Sequence, residues 1–215
     1  MNTKKKIAVL ISGGGTNLQA LLDAWKAGAL PLAEITCVVS NRKKAYGLER
    51  ARQAGVEALY LPTTRFADRE EYHLALRDLL WERQIDLVVL AGYLVVLGKP
   101  LIDAFEGRII NIHPSLIPSF CGDGFYGLKV HEEVLRRGVK VTGATVHFVD
   151  HGTDTGPIIL QKAVSVQQGD TPEILQKRVM EQAEWKLLPE AVRLFTEDRL
   201  VIQNHTVWIK EEESR

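Results

Sequence analysis

The chain has 215 residues, 46% hydrophobic and 25% charged, a balance that suits a globular protein able to bury a core without disulfide or metal staples. Lys+Arg and Asp+Glu both number 27 and the formal net charge is zero, which excludes the global basic field that draws a protein to nucleic acid or an anionic membrane. The basic start "MNTKKK" is followed only by "IAVLI" before glycines begin, too short for a signal peptide or a membrane span. The two cysteines, Cys37 and Cys121, show neither framework nor zinc spacing, so a cytoplasmic protein with reduced thiols is expected.

In chain order, "KIAVLI" reads as a strand bounded by "SGGG", and "NLQALLDAW" has apolar residues at helical spacing. "EITCVVS" is a strand, "AYGLERARQAG" a helix closed by Gly55, and "EALYL" a strand. "DREEYHLALRDLLWERQ" is a long helix with Asp68 as N-cap, followed by the strand "DLVVLAG", the short helix "KPLIDAF" and the strand "RIINIH". Strands alternating with helices of roughly 10–15 residues predict βαβ units and a parallel sheet. Strands apolar at consecutive positions predict cover on both faces. After residue 125 the rhythm changes. "GLKVHEEVLRRG" is a helix, and "VKVTGATVHFVD" and "PIILQKAVSVQ" are adjacent strands joined by "HGTDTG". "DTPEILQKRVMEQAEWKLLPEAVRLFTE" reads as helix, "RLVIQNHTVWI" as short strands and "KEEESR" as a frayed tail. The fold class expected is α/β: an open, mostly parallel sheet with helices on both faces and an antiparallel extension in the C-terminal half.

Between the first strand and helix, "SGGGTN" has the form of a phosphate turn, with Gly15, Thr16 and Asn17 the best-placed donors at a helix N-terminus. The same glycines would also serve a tight turn needing positive φ. A dinucleotide is disfavoured, because Leu18 stands at the third glycine position and the second strand ends in Ser40-Asn41 without a carboxylate. No G-x-x-x-x-G-K-[ST] supports ATP. A smaller phosphate such as a ribose 5-phosphate fits better. Asn111 and His113 share one face of their strand, at its carboxyl end, and Pro114 stops the strand there. The pair alone suits chemistry or strand-end packing equally well. Asp154 in "GTDTGP" reads alone as a turn residue, with Asp150 an equal competitor. His131 reads as solvated or packed, and His147 as structural or functional with equal weight. No metal is expected, since His113, Cys121, His131 and Asp154 lack ligand spacing, and nothing near Cys121 suggests an activated thiolate.

"ISGGGTNLQA", "GLERARQAG", "VVLAGYLVVL", "IINIHPSLIP" and "VHFVDHGTDTGPIILQ", in that order, resemble the glycinamide ribonucleotide transformylase family of folate-dependent formyltransferases. The resemblance runs from Lys5 to Trp208. It implies a single formyltransferase domain over 1–215, with a phosphate-binding half to about 110 and a folate and catalytic half over about 111–208. It also implies transfer of a formyl group from 10-formyltetrahydrofolate to the amine of glycinamide ribonucleotide, by a monomer or homodimer with no metal, nucleic-acid or membrane partner. Carried over by motif, Gly15, Thr16 and Asn17 hold the substrate phosphate. Arg69 contacts the folate, together with Leu94, Val95, Val96, Leu97 and Asn111. Asn111, His113 and Asp154 form the catalytic trio, and Asp154 is expected to raise the His113 pKa. Glu184 matches a substrate-contacting glutamate, but an apparent one-residue insertion in its helix leaves the register open. The loop "SFCGDGFYG" is longer than in several members, and its glycines suggest a mobile lid or a rim. Formyltetrahydrofolate hydrolase and methionyl-tRNA formyltransferase are the nearest rivals. Each carries an additional domain, N-terminal and C-terminal respectively, that is not expected in this chain.

Overall fold

The strand Lys5–Ile11 (β1) has no polar face. Ile7, Val9 and Ile11 belong to one apolar cluster and Ala8 and Leu10 to another. That is the two-residue alternation of a strand covered on both sides. The structure, a computed structural model, describes residues 3–211. The frayed end expected for "KEEESR" lies, from residue 212 on, outside the described residues.

Around β1 the elements follow the alternating pattern: α1 (Thr16–Lys26), β2 (Ala33–Ser40), α2 (Tyr46–Gln53), β3 (Glu57–Tyr60), α3 (Arg69–Glu82), β4 (Leu87–Leu90), α4 (Lys99–Ala104) and β5 (Ile109–His113). Then come α5 (Leu128–Arg137), β6 (Val141–Phe148), β7 (Ile158–Ser165), α6 (Pro172–Val179), α7 (Trp185–Thr196), β8 (Leu200–Gln203) and β9 (Thr206–Ile209). Seven strands form one sheet in the order β3-β2-β1-β4-β5-β6-β7. The strands from β1 to β5 are parallel, whereas β6 runs antiparallel to β5 and β7 antiparallel to β6. Helices α1, α2, α5, α6 and α7 bury their apolar sides in the cluster on one face, and α3 and α4 in the cluster on the other. The β8–β9 pair forms a separate two-stranded sheet. No helix among the described residues is long and apolar enough to cross a membrane.

Asp68 caps α3 as expected, its carboxylate accepting from Glu71 N at 2.8 Å. The long C-terminal helix is not continuous. Met180–Glu184 forms a π-helical turn between α6 and α7. An i→i+5 turn takes in one residue more than an α turn, so the facing of Glu184 departs from that of a continuous α-helix.

The chain leaves β1 towards β2 and β3 and returns to β4 on the other side, so a crevice opens at the carboxyl ends of β1 and β4. Ser12 stitches its rim. Ser12 N donates to Gly92 O at 3.0 Å, and its hydroxyl accepts from Leu94 N at 2.9 Å and donates to Asn41 Oδ1 at 2.7 Å. The first turn and α2 then approach closely. Gly15 has φ +72°, and a Cβ there would lie 2.8 Å from Gly47 Cα. Gly15→Ala is therefore expected to lower the unfolding free energy by about 1–3 kcal/mol, read from urea unfolding midpoints. Unchanged stability would mean that the turn can move away from α2.

Candidate active site

Ile109, Asn111 and His113 alternate onto the sheet face that carries α3 and α4, but only Ile109 is covered by their apolar cluster. The other two side chains face a cavity of about 290 Å³, walled by Leu94, Val95, Val96 and Leu97 on one side and by Gly122–Gly127 and Asp154 on the other. The structure thus brings Asn111, His113, Asp154 and the Leu94–Leu97 segment to one cavity. Of Asp150 and Asp154, it is Asp154 that lines the cavity. Asp150 instead accepts from Gly152 N and Thr155 Oγ1 within its own loop.

A carbonyl oxygen only accepts, so His113 Nε2, 2.9 Å from Phe120 O, carries a hydrogen. Its Nδ1 lies 3.4 Å from Asp154 Oδ2, which also accepts from Gly122 N at 3.0 Å. The same logic fixes His147, whose role the sequence pattern left undecided. His147 Nδ1 donates to Phe148 O at 2.7 Å, which leaves Nε2 as an acceptor for Asn111 Nδ2 at 3.2 Å. His147 Nε2 and Asp154 Oδ1 are 3.6 Å apart, too far for a good hydrogen bond but close enough to interact electrostatically. His147 therefore orients the Asn111 amide, with one N–H bound and the other available to the cavity.

Burial decides the electrostatics. It pushes the His113 pKa down, and Asp154 and the Phe120 carbonyl oppose it without prevailing. The expected rise is corrected: the net direction is below the ordinary histidine value, because His113 is 4% exposed. Burial also works to raise the Asp154 carboxyl, but His147, His113 and Gly122 N–H outweigh it and the net direction is down. Burial, then the Asp154 charge, raises the Cys121 thiol, in keeping with no activated thiolate. His131 is packed, not solvated. It is fully buried with neither ring nitrogen bonded, and burial, aided by His113, pushes it down to about 4. Among the described residues no group of three His, Cys, Asp or Glu side chains could hold a metal ion.

The loop after "HPSLIP" forms a rim on this cavity. It is tied at Phe120 O to His113, at Gly122 N to Asp154, and at Asp123 Oδ1 to Thr153 Oγ1 over 2.8 Å. Arg69 does not line the cavity; its Nη2 donates to Val96 O at 2.8 Å from behind the wall.

The second cluster is the first turn. Gln19 N is bonded to Gly15 O at 2.9 Å, and the amides before it have no intrahelical carbonyl to reach. No acidic residue lies in the first turn of α1, and Arg50 Nε donates to Gly14 O at 2.8 Å, so the turn suits an anion. Asn17 is already engaged. Its Nδ2 donates to Glu184 Oε2 at 2.6 Å, while its Oδ1 is buried without a partner. The π turn carries Glu184 into this position.

The sequence matches the formyl transferase family over residues 5–192. It is 40% identical over 205 residues to the phosphoribosylglycinamide formyltransferase of Haemophilus influenzae, an alignment covering 95% of this chain and 93% of that protein. It is 41% identical over 211 residues to the trifunctional purine biosynthetic protein adenosine-3 of Bos taurus, covering 97% of this chain but only 20% of that protein, so it spans about a fifth of that relative's length. The fold superposes on glycinamide ribonucleotide transformylase 1 from Symbiobacterium toebii with a TM-score of 0.91 at 48% identity, covering 97% of this chain and 95% of that one.

Glu184 provides a pH test of the second cluster. Burial pushes its carboxyl up from 4.5 to about 7, against the opposing pull of the Asn17 amide. The native state therefore binds more protons than the unfolded chain in that interval, and stability falls as pH rises through it. Between about pH 5 and about pH 8 the stability difference should move in favour of Glu184→Gln over the parent, measured by denaturant unfolding. A constant difference would mean that Glu184 is not held protonated.

Proposed function

The chain belongs to the formyl transferase family, and from that membership we propose that it transfers the formyl group of 10-formyltetrahydrofolate to the primary amine of glycinamide ribonucleotide, in de novo purine biosynthesis. The observation that carries this reading is the meeting of Asn111, His113 and Asp154 at one cavity walled by Leu94–Leu97. The flat end of a folate suits this cavity: the Leu94–Leu97 wall is apolar, and about 290 Å³ lies near the lower end of small-molecule sites. The ribonucleotide phosphate is assigned to the amides of Gly15, Thr16 and Asn17, and a further substrate contact to Glu184.

In this reaction the amine nitrogen bonds to the formyl carbon, the bond from that carbon to the folate nitrogen breaks, and a proton passes from the attacking to the departing nitrogen. Negative charge develops on the formyl oxygen. The free N–H of Asn111, its amide held by His147, is the group to receive it, in the manner of an oxyanion hole. His113 waits neutral, because burial lowers its basicity, and its Nδ1 is the atom to take the amine's proton. The resulting positive charge is stabilised by Asp154 Oδ2 at 3.4 Å, and His113 then returns the proton to the leaving nitrogen. Arg69 shapes the folate wall through Val96 O.

The test is a spectrophotometric assay of folate product with and without glycinamide ribonucleotide. Turnover only with the ribonucleotide supports the transferase. Equal turnover without it supports a hydrolase, and no turnover in either arm supports a binding module. Asn111→Ala is expected to lower kcat by about 10²–10³-fold. An Asp154→Asn enzyme with an unchanged rate and an unshifted His113 titration by NMR would remove Asp154 from its role.

A further inference from the structure

The segment Tyr93–Gly98 contains neither helix nor strand, so its shape must come from the groups to which it is tied. Three contacts reach it from α3. Arg69 Nη2 donates to Val96 O at 2.8 Å, the Tyr72 hydroxyl pairs with the Tyr93 hydroxyl, and the His73 ring lies against Gly98. Positions i, i+3 and i+4 share one face of a helix, and Arg69, Tyr72 and His73 have that spacing.

Packing alone does not account for these residue types. Tyr72 and Tyr93 are 1% and 9% exposed, and for filling space phenylalanine would suffice. A buried phenol needs a partner, and each supplies the other's. Gly98 has φ −94° and ψ 159°, extended backbone that any residue adopts. What excludes a side chain there is His73: a Cβ on Gly98 would lie 2.6 Å from His73 Nδ1, and that nitrogen is fixed by Arg69 O at 2.6 Å. A ring so held cannot easily move away.

We propose that this face of α3 is a template for the cavity wall, making Tyr72 and His73 positioning residues for the formyl donor. Neither side chain lines the cavity; they act through Tyr93 and Gly98. The inference rests on the assignment of that wall to the folate. Its consequence is selective: disturbing the template weakens donor binding and leaves the ribonucleotide turn, built on α1, untouched.

Steady-state kinetics with 10-formyltetrahydrofolate and glycinamide ribonucleotide varied in turn test it. Tyr72→Phe should raise the donor KM about fivefold, the loss of one neutral hydrogen bond, with a smaller change in kcat and none in the ribonucleotide KM. The Tyr72→Phe/Tyr93→Phe enzyme strands no hydroxyl, so its thermal stability should recover while its donor KM stays high. Gly98→Ala should also raise the donor KM, and Gly98→Ala/His73→Ala, which relieves the clash but removes the ring, should bring it back only in part. The inference is overturned if Tyr72→Phe and Gly98→Ala leave the donor KM unchanged, if the ribonucleotide KM rises in parallel, or if donor KM tracks melting temperature across the set. A parent enzyme that turns over no formyl donor would overturn the folate assignment itself, a result separate from normal turnover with unmoved KM values.

Discussion

The antiparallel pairing of β5 with β6 is the constraint from which the rest of the site follows. Up to β5 every neighbour in the sheet is parallel; at this pair the direction reverses, and Asn111 comes opposite His147 and His113 opposite Thr145. The first register fixes the orientation of the Asn111 amide. The second controls the turn after His113: Thr145 Oγ1 donates to Ser115 O at 2.7 Å and accepts from Ile117 N at 3.1 Å. A slip of β6 by one residue against β5 would turn His147 to the opposite face of the sheet, away from Asn111. The β6–β7 loop then folds back over β5, and the positive φ of 58° at Asp154 belongs to the bend that presents its carboxylate to His113.

Desolvation prevails over charge at His113, whereas at Asp154 the surrounding groups prevail over desolvation. Asp154 is a close anion and favours a protonated His113, yet burial of the imidazole has the larger effect, and the histidine is held below its ordinary value. A carboxylate in contact with solvent would have been screened and a less buried imidazole would have risen. Burial also works against the Asp154 carboxylate, but His147, His113 and the Gly122 amide oppose it and hold the carboxyl below its usual range. In the proposed reaction this arrangement holds a base ready at neutral pH and confines the stabilising charge to the state in which that base has taken a proton.

Much of this was legible in the sequence. Consecutive apolar residues in "IAVLI" and "DLVVL" disclosed strands covered on both faces, and period-two spacing put Asn111 and His113 together. His147 was not legible as a partner, because its meaning lies in cross-strand register, and nothing local in "ATVHFVD" specifies which strand lies beside it. Asp150 and Asp154 were equivalent for a similar reason: loop direction depends on backbone dihedrals that glycines leave free. Glu184 required counting residues through an irregular helix, where each π bond shifts the facing side chains relative to α geometry. Arg69 is legible as a residue near the wall, but its engagement with a backbone carbonyl has no signature in side-chain pattern.

The anion turn and the cavity wall share one joint, although the contacts from α3 bear on the wall alone. Ser12 follows β1 immediately before the glycines, and its amide and hydroxyl bond the segment that begins at Gly92. With 1% exposure and its hydroxyl committed to both Leu94 N and Asn41 Oδ1, it has little freedom to adjust. A phosphate held at Gly15 and a heterocycle held at Leu94 would therefore be referenced to one rigid joint. Transfer between two bound molecules depends on the separation of their reacting atoms, and misplacement by about 1 Å can cost about 10²-fold in rate. On the proposed reading, that joint at the crevice between β1 and β4 sets the separation between the attacking amine and the formyl carbon, and the polar cluster on β5 and β6 needs only to act on what it aligns.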